Sequence, residues 1–167
     1  MRAVQKTIET ARLRLRPRTL DDLEPIVAMD TDPEVRRYLG GPLDPAAHRA
    51  EVRGNIVDGT MADYPRWAIE WKDRPGFLGQ CGIRSCHLPG TTELTWRLVR
   101  AAWRQGVASE AAAAMLAHLR TERSVGPVVA FIHPDNAGSQ GVARKLGLRP
   151  AGEAQLHGTR QLVYRSA

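Results

Sequence analysis

The sequence predicts one mixed α/β domain of the α+β class, and three observations carry this prediction. Residues 12–16 alternate strictly between Arg and Leu, which is the period of a half-buried strand. Residues 67–99 contain three β-rich segments separated by turn sequences. Apolar residues from Ala111 to Leu119 recur at helical spacing. Because 167 residues suit one domain with a sizeable core, the whole chain, residues 1–167, is assigned to it.

Helix-start signals follow the first strand. At two places an Asp that can cap a helix precedes a proline, which is favoured at the first helical position. They predict a short helical turn over 32–39 and a helix over 44–57. A helix over 19–29 would carry Pro25 inside it, which predicts a kink or a later start.

A meander of three strands then leads into the longest helix. Its predicted strands are 67–72, 77–84 and 93–99. The stretch 103–120 opens with a short turn containing Gly106 and continues as an alanine-rich helix. The first amides of a helix lack intrahelical partners, and the helix dipole is positive there. We therefore expect this turn to hold a phosphate-bearing cofactor.

The last third of the chain completes the predicted order β-α-α-β-β-β-α-β-α-β-β. Residues 128–132 are β-rich and apolar, which indicates a buried strand, and a short helix over 136–146 ends at Gly147. A strand pair over 149–156 and 161–164 closes the chain.

Composition limits the function classes. No apolar stretch is long enough to span a membrane and no signal peptide is evident, so we expect a cytoplasmic protein with no membrane partner. The net charge of +6 comes mostly from Arg spread along the chain. That spread favours a solvated basic surface, leaves anionic ligands as the alternative, and argues against a nucleic-acid partner. Cys81 and Cys86 are expected to be half-buried thiols on opposite strand faces, and His87 has no companion ligands for a metal.

Three motifs together resemble one family. Residues 93–98 (ELTWRL) with 103–111 (WRQGVASEA) resemble the central motif of the GNAT N-acetyltransferases, particularly the RimJ/RimL type that acetylates protein N-termini. Residues 10–17 with 32–35 are similar to the opening of that group. Residues 134–139 with 145–148 are similar to its second cofactor motif.

The resemblance implies a seven-stranded, mostly antiparallel sheet with about four flanking helices. It also implies that the sheet splays open between its fourth and fifth strands and holds acetyl-CoA, with no metal, in the gap. The implied contacts are the backbone of Leu98 and Val99 on the pantetheine arm, the amides of Gln105, Gly106, Val107, Ala108 and Ser109 on the pyrophosphate, and Asn136 and Ser139 from the other side.

The residues of the turn agree with these implied contacts. Gly106 and Ala108 are small enough for close approach of a pyrophosphate. Neither a Walker lysine nor the dinucleotide fingerprint is present. Arg104 stands where many relatives have glycine, and it could add a charged contact to a phosphate.

Acetyl transfer to an amine needs a base, and Glu93 matches the acid that the family often carries on its fourth strand. It could act directly or through water, with Glu70 as the second candidate and an exposed Arg-paired carboxylate as the structural alternative. Many relatives protonate the leaving thiolate with a tyrosine, but the matching residue is Ala143. Ser139 is the candidate replacement, either as the acid or only as a cofactor contact. His133 is expected to be a packing or turn residue.

The acceptor stays open among a protein N-terminus, a polyamine, an antibiotic amine and an amino acid. Tyr38, the loop 40–42 and the hairpin at 157–158 are expected to wall its site, while Trp67, Trp96 and Trp103 are expected in the core. Transfer of another acyl group such as succinyl, or a non-catalytic acyl-CoA-binding sensor, are the alternative functions. A homodimer also stays open.

Overall fold

One mixed sheet flanked by helices accounts for the described residues of the computed structural model, which are 5–58, 65–84, 86–122 and 125–167. The strands are β1 (Ile8–Glu9), β2 (Leu13–Pro17), β3 (Arg66–Trp71), β4 (Phe77–Arg84), β5 (Thr92–Leu98), β6 (Val128–Ile132), β7 (Arg149–Leu156) and β8 (Thr159–Arg165). The helices are α1 (Leu23–Thr31), α2 (Pro33–Arg36), α3 (Pro45–Val57), α4 (Val107–Glu122) and α5 (Ala137–Lys145).

The strands lie in the order β1-β2-β3-β4-β5-β6-β8-β7, and every neighbouring pair is antiparallel except β5 and β6. This confirms the predicted class. The sheet has eight strands rather than seven because the two residues of β1 pair with Arg14 and Leu15 along the outer edge of β2.

The sheet opens between β5 and β6, as the resemblance implied. Within these described strands the two pair only at Thr92 with Val128 and at Glu93 with Val129. β5 nevertheless continues to Leu98, and β6 continues to Ile132. A wedge-shaped gap therefore begins immediately beyond Glu93.

Helix α4 packs against one face of the sheet and forms the main core with it. Leu13 and Leu15 are fully buried, which confirms the Arg-Leu alternation, and Trp67 is also in the core at 1 % exposure. Ala111, Met115 and Leu119 project from α4 into the same core, as their helical spacing predicted. A smaller cluster under α5 contains Ala130, Ile132, Ala143, Leu148 and Tyr164.

Helices α1 and α3 lie close together near the opposite face, where α1 approaches β4. Helix α1 starts at Leu23 rather than Thr19, because residues 20–22 form a 3-10 turn. Pro25 thus falls in the first turn of α1, where a missing N–H breaks no hydrogen bond. This confirms the later start.

No helix among the described ranges is long and apolar enough to cross a membrane. No group of His, Cys, Asp and Glu side chains in the same ranges could hold a metal ion. Cys81 and Cys86 are free thiols, and burial raises the pKa of Cys81 to about 12. Cys86 lies in the loop after β4 rather than on the strand, so its predicted placement on the opposite strand face is wrong.

Candidate active site

The turn between β5 and α4 has the geometry of an anion site. The chain passes through a 3-10 turn at Arg100–Ala102, then through left-handed conformations at Arg104 (φ 60°) and Gly106 (φ 77°). The first hydrogen bond that closes α4 runs from the Glu110 amide to the Gly106 carbonyl, at 3.1 Å. The amides of Val107, Ala108 and Ser109 precede it and therefore need partners from outside the helix. The turn and these amides are where the sequence placed the pyrophosphate.

Arg104 adopts a backbone conformation that favours glycine. Its left-handed φ of 60° costs a residue with a Cβ about 1–2 kcal/mol. Its side chain is exposed beside the turn. A charged contact from the Arg104 side chain to a phosphate would offset this conformational cost, and glycine could not make that contact.

Arg104→Gly is therefore expected to raise the free energy of unfolding by up to about 1 kcal/mol, because glycine adopts this conformation without strain but loses more chain entropy on folding. The same variant is expected to weaken acetyl-CoA binding several-fold at low salt. Chemical denaturation and calorimetric titration measure the two effects. His157→Gly is the matched control, since His157 is the other non-glycine residue with positive φ (51°) in the described structure. Unchanged acetyl-CoA affinity in Arg104→Gly would remove Arg104 from the cofactor contacts.

Arg12 and Glu110 hold the turn before α4 in place through a set of hydrogen bonds. The Arg12 guanidinium donates to a Glu110 carboxylate oxygen at 2.7 Å and to the Gln105 carbonyl at 3.1 Å. Glu110 also accepts the Arg12 amide at 3.0 Å and the Thr10 hydroxyl at 2.5 Å. Burial raises the pKa of Glu110, but the bonds from Thr10 and Arg12 outweigh it and hold the pKa below its usual value. Sequence reasoning saw Arg12 only as part of a strand, and no local signal joins residues 98 positions apart.

The backbone edge of β5 faces the gap at alternate residues. The Thr92 amide donates toward β6, to the Pro127 carbonyl, whereas the Val99 amide donates toward β4, to the Leu78 carbonyl. Backbone polar groups alternate in direction along a strand, so those of Leu94, Trp96 and Leu98 point into the gap. Leu98 thus lies where the pantetheine contact was predicted. The Val99 amide is already engaged, and the Val99 carbonyl accepts the Ala102 amide at 3.0 Å, so both polar backbone groups of Val99 have partners within the protein.

Trp103 is not a core residue, which corrects the sequence prediction. Its side chain is 40 % exposed, and its indole N–H donates to the Leu98 carbonyl at 3.1 Å. The residue follows a 3-10 turn rather than a regular element, so its side chain lies over the end of β5 instead of under α4. Trp96, by contrast, is half-buried and packs against both core clusters.

Helix α5 carries the predicted contacts on the far side of the gap. Asn136 caps the helix, because its side-chain oxygen accepts the Ser139 amide at 3.1 Å. Ser139 and Ala143 lie one turn apart and share a helix face. Ala143 is fully buried next to Tyr164, whose hydroxyl contacts Gln140 and Arg144 on α5. Ala143, the position that the sequence resemblance matched to a tyrosine, therefore places only a methyl group in the core, with Ser139 one turn nearer the start of the helix.

Glu93 lies at the narrow end of the gap with 5 % of its surface exposed. One carboxylate oxygen, Oε2, is buried without a hydrogen-bond partner, although the Arg84 Nε lies 3.5 Å away. Burial raises the pKa of Glu93 to about 7, against the opposing effects of Arg84 and Arg66. The structural alternative is wrong about exposure, because Glu93 is buried, but its pairing with an arginine is confirmed by the ion pair with Arg84.

Glu70 occupies a different environment. It accepts hydrogen bonds from Arg14 at 3.3 Å and from Arg16 at 3.1 Å. Glu70 pairs with Arg14 and Phe77, near the far end of β3 from Arg66, and two strands separate it from the gap. Its place makes it a weaker candidate base than Glu93.

A buried carboxylate that sequence reasoning missed ties α1 to the sheet. Asp30, at 2 % exposure, accepts from Arg97 on β5 at 2.6 Å and contacts the His48 Nε2 at 2.8 Å. Only the packing of α1 on the sheet brings these three residues together, so no motif could have revealed them.

The predicted acceptor walls approach the gap from two sides. The ring of Tyr38 lies 5.1 Å from that of His133 at the end of β6, and Arg36 donates to carbonyls of the loop at 39–41. His133 accepts the Asp135 amide at 3.1 Å, which is the expected turn role. At the other end, His157 in the β7–β8 turn lies 6.3 Å from His87, measured between ring centroids.

Known proteins share both the sequence pattern and this fold. A family model described as the acetyltransferase (GNAT) domain matches residues 12–149. The uncharacterized protein YkkB of Bacillus subtilis is 33% identical over 140 residues, which cover 81% of each chain. An acetyltransferase structure from Agrobacterium tumefaciens is 24% identical, covers 100% of this chain and 97% of its own, and superposes with a TM-score of 0.84.

A further solved structure holds a coenzyme. Mycobacterium smegmatis RimJ, in complex with CoA-disulfide, is 18% identical, covers 96% of this chain and 87% of its own, and gives a TM-score of 0.73. The family match thus comes from the sequence, and the solved structures share the fold. The chain belongs to the GNAT family of acetyltransferases and is an acetyl-CoA-dependent N-acetyltransferase.

Proposed function

We propose that the protein transfers the acetyl group of acetyl-CoA directly to a primary amine, and that Glu93 accepts the proton of that amine. The observation that carries the proposal is the buried Glu93 carboxylate at the narrow end of the gap, with one oxygen lacking a hydrogen-bond partner. A base near pKa 7 is deprotonated often enough at neutral pH and is still basic enough to take a proton.

The step balances as a direct displacement. The amine nitrogen attacks the thioester carbon, the new C–N bond forms, and the C–S bond breaks. The proton released by nitrogen goes to Glu93, directly or through one water. The thiolate leaves as such, or takes the Ser139 hydroxyl proton while water returns a proton to the serine, and a Ser139→Ala variant separates these roles. Loss of an acid lowers kcat, whereas loss of a cofactor contact raises the KM for acetyl-CoA.

The cofactor contacts follow from the open backbone groups. The Leu98 amide in the gap suits the pantetheine arm, since the Leu98 carbonyl already accepts the Trp103 indole, and the helix-start amides from Val107 to Ser109 suit the pyrophosphate. The turn residues Gln105 and Gly106 lead into those amides, and Arg104 stands beside them. Asn136 and Ser139 are proposed to contact the cofactor from α5, where the Asn136 side-chain NH2 group is left over from its capping role. The CoA complex of RimJ supports a coenzyme in this fold.

Saturating acetyl-CoA is expected to raise the Tm, because a ligand that binds only the folded state stabilises it by about 2.7 kcal/mol at a hundred times its Kd. A thiol-release screen with peptides and small amines is expected to find acceptors, with a mass increase corresponding to one acetyl group. Dephospho-CoA is the control for contacts to the adenosine end of the cofactor. Succinyl-CoA is the control for the identity of the acyl group.

Two outcomes contradict the proposal. Tight acetyl-CoA binding without thiol release from any amine would indicate a sensor domain. Faster transfer from succinyl-CoA than from acetyl-CoA would show that acetyl-CoA is not the preferred acyl donor.

A further inference from the structure

Four arginines from four different segments converge on the face of the sheet that carries Glu93. Strand pairing places Arg66 opposite Gly82, Gln80 opposite Arg97, and Arg84 opposite Glu93. Successive residues of a strand alternate between faces, so these side chains share one face, and Gly82 adds no side chain between them. Arg18, directly after β2, reaches the same face because it donates to the Gln80 side chain at 3.3 Å. We call Arg18, Arg66, Arg84 and Arg97 the arginine cluster.

The acids on this face do not balance the arginine cluster. Asp30 is shared by Arg97 and His48, and among the described residues Glu93 forms an ion pair only with Arg84. Within the described ranges, neither Arg18 nor Arg66 forms an ion pair, and the buried Arg66 Nε has no hydrogen-bond partner. The face therefore carries two guanidinium groups that no described carboxylate pairs with within 4.0 Å, although Asp30 attracts both from further away.

An unneutralised, half-buried guanidinium is costly unless another group supplies the missing negative charge. Burial lowers the pKa of Arg66 to about 10, and the neighbouring Arg18, Arg97 and Arg84 act in the same direction, against the opposing effect of Asp30. Burial also lowers the pKa of Arg18. Arginine side chains stay protonated at neutral pH, so both charges persist and attract anions.

We propose that the acceptor amine carries a carboxylate or phosphate group, which the arginine cluster binds while the amine lies at Glu93. This inference rests on the proposed function, because it assigns the acceptor class of the same site. Guanidinium groups bind carboxylates and phosphates through paired hydrogen bonds, and Arg66 and Arg18 have donors to offer. The same cluster repels polyamines and cationic antibiotics, since like charges in a partly buried site are unfavourable.

Binding of two matched probes tests the charge preference without any catalysis. Glutarate and 1,5-diaminopentane share a five-carbon chain but carry opposite charges. Calorimetric titration of the whole protein with CoA present is expected to show glutarate binding at least about tenfold more tightly. Equal affinity, or tighter binding of the diamine, would overturn the proposal.

Arg66→Gln is expected to weaken glutarate binding about tenfold or more and to leave the Kd for acetyl-CoA unchanged. Arg66→Lys restores the charge and is expected to recover part of the affinity, which a purely structural role of Arg66 would not explain. Arg120→Gln, at an exposed position in the last turn of α4, is the matched control and is expected to behave as wild type. Unchanged glutarate binding in a folded Arg66→Gln protein would exclude Arg66 from the anion site.

Turnover in the thiol-release assay then distinguishes a carboxylate from a phosphate as the recognised group. The same assay separates the failure of this inference from the failure of the proposed function. Glutamate and O-phosphoethanolamine are compared with n-butylamine and spermidine in the thiol-release assay. A kcat/KM at least about tenfold higher for either anionic amine supports the proposal, and the better of the two names the group. Preference for spermidine or butylamine would overturn the proposed acceptor class while leaving acetyl transfer intact. Thiol release from none of the four, with glutarate still bound and lost in Arg66→Gln, would support the anion site and count against the transfer function.

Discussion

Glu93→Gln is expected to lower kcat by about 100- to 10,000-fold, which is the usual contribution of a positioned general base. Gln matches Glu in size and keeps one hydrogen-bonding oxygen, but it cannot accept a proton. The affinity for acetyl-CoA is expected to stay unchanged, because the side chain lies on the α1/α3 face of the sheet and the cofactor turn is at the other end of β5. Steady-state kinetics with the acceptor found by the screen measure both quantities.

The pH profile gives this prediction its second test. Burial raises the pKa of Glu93 to about 7, so wild-type kcat/KM is expected to rise as the pH increases through about 7. Glu93→Gln should lose that limb of the profile. Glu70→Gln is the matched control, because Glu70 is already held by Arg14 and Arg16, and its profile is expected to keep the limb. An unchanged limb in Glu93→Gln would show that another group is the base.

Stability provides an independent check on the environment of Glu93. A carboxyl group whose pKa is raised on folding holds its proton in the folded state when the unfolded chain has already released it. Between its unfolded value and about 7 the folded state therefore binds more protons, and this group reduces stability as the pH rises through that window. Above about pH 7 Glu93→Gln is thus expected to unfold at a higher denaturant concentration than wild type. A less stable variant there would show that the charged carboxylate is well solvated or paired.

Gly106→Val is expected to raise the Kd for acetyl-CoA about 100-fold or more. Gly106 has φ of 77°, and a Cβ there would approach the Arg12 guanidinium to 3.2 Å. A β-branched residue is a conformational outlier at positive φ, so the backbone is expected to turn away and take the helix-start amides with it. About 2.7 kcal/mol of lost binding corresponds to the hundredfold change.

The control for this variant is Gly147→Val, after α5. Gly147 has nearly the same φ, 78°, and nothing lies within 4 Å of an added Cβ. Both variants should lose similar stability, and only Gly106→Val should lose cofactor affinity, measured by calorimetric titration. Equal affinities in the two variants would place the pyrophosphate elsewhere.

Most elements of the fold could be predicted from the sequence because they depend on residues close together in the chain. Alternation fixed β2, turn residues separated β3, β4 and β5, and small residues marked the turn at Gly106. The extra edge strand β1 was missed because two residues give no period to detect. Trp103 was misplaced because an exposed tryptophan beside a turn looks, in sequence, like any core aromatic residue.

The arginine cluster could not be predicted for a different reason. Its members are spread from Arg18 to Arg97, and their charges looked evenly distributed along the chain. Strand register brings them onto one face, and register depends on pairing between distant segments. The contacts of Asp30 and His48 could not be predicted for a similar reason, because helix packing alone brings these two residues to Arg97 on the sheet.

The unpaired edge of β5 also concerns the solubility of the protein. Beyond Glu93, backbone groups of Leu94, Trp96 and Leu98 face a gap instead of a neighbouring strand. An open strand edge is a template on which another chain can pair and aggregate. Here the open length is short, closed by β6 at one end and covered by the Trp103 indole on Leu98 at the other. The wedge thus leaves a second protein strand only a short stretch of the described β5 backbone on which to add.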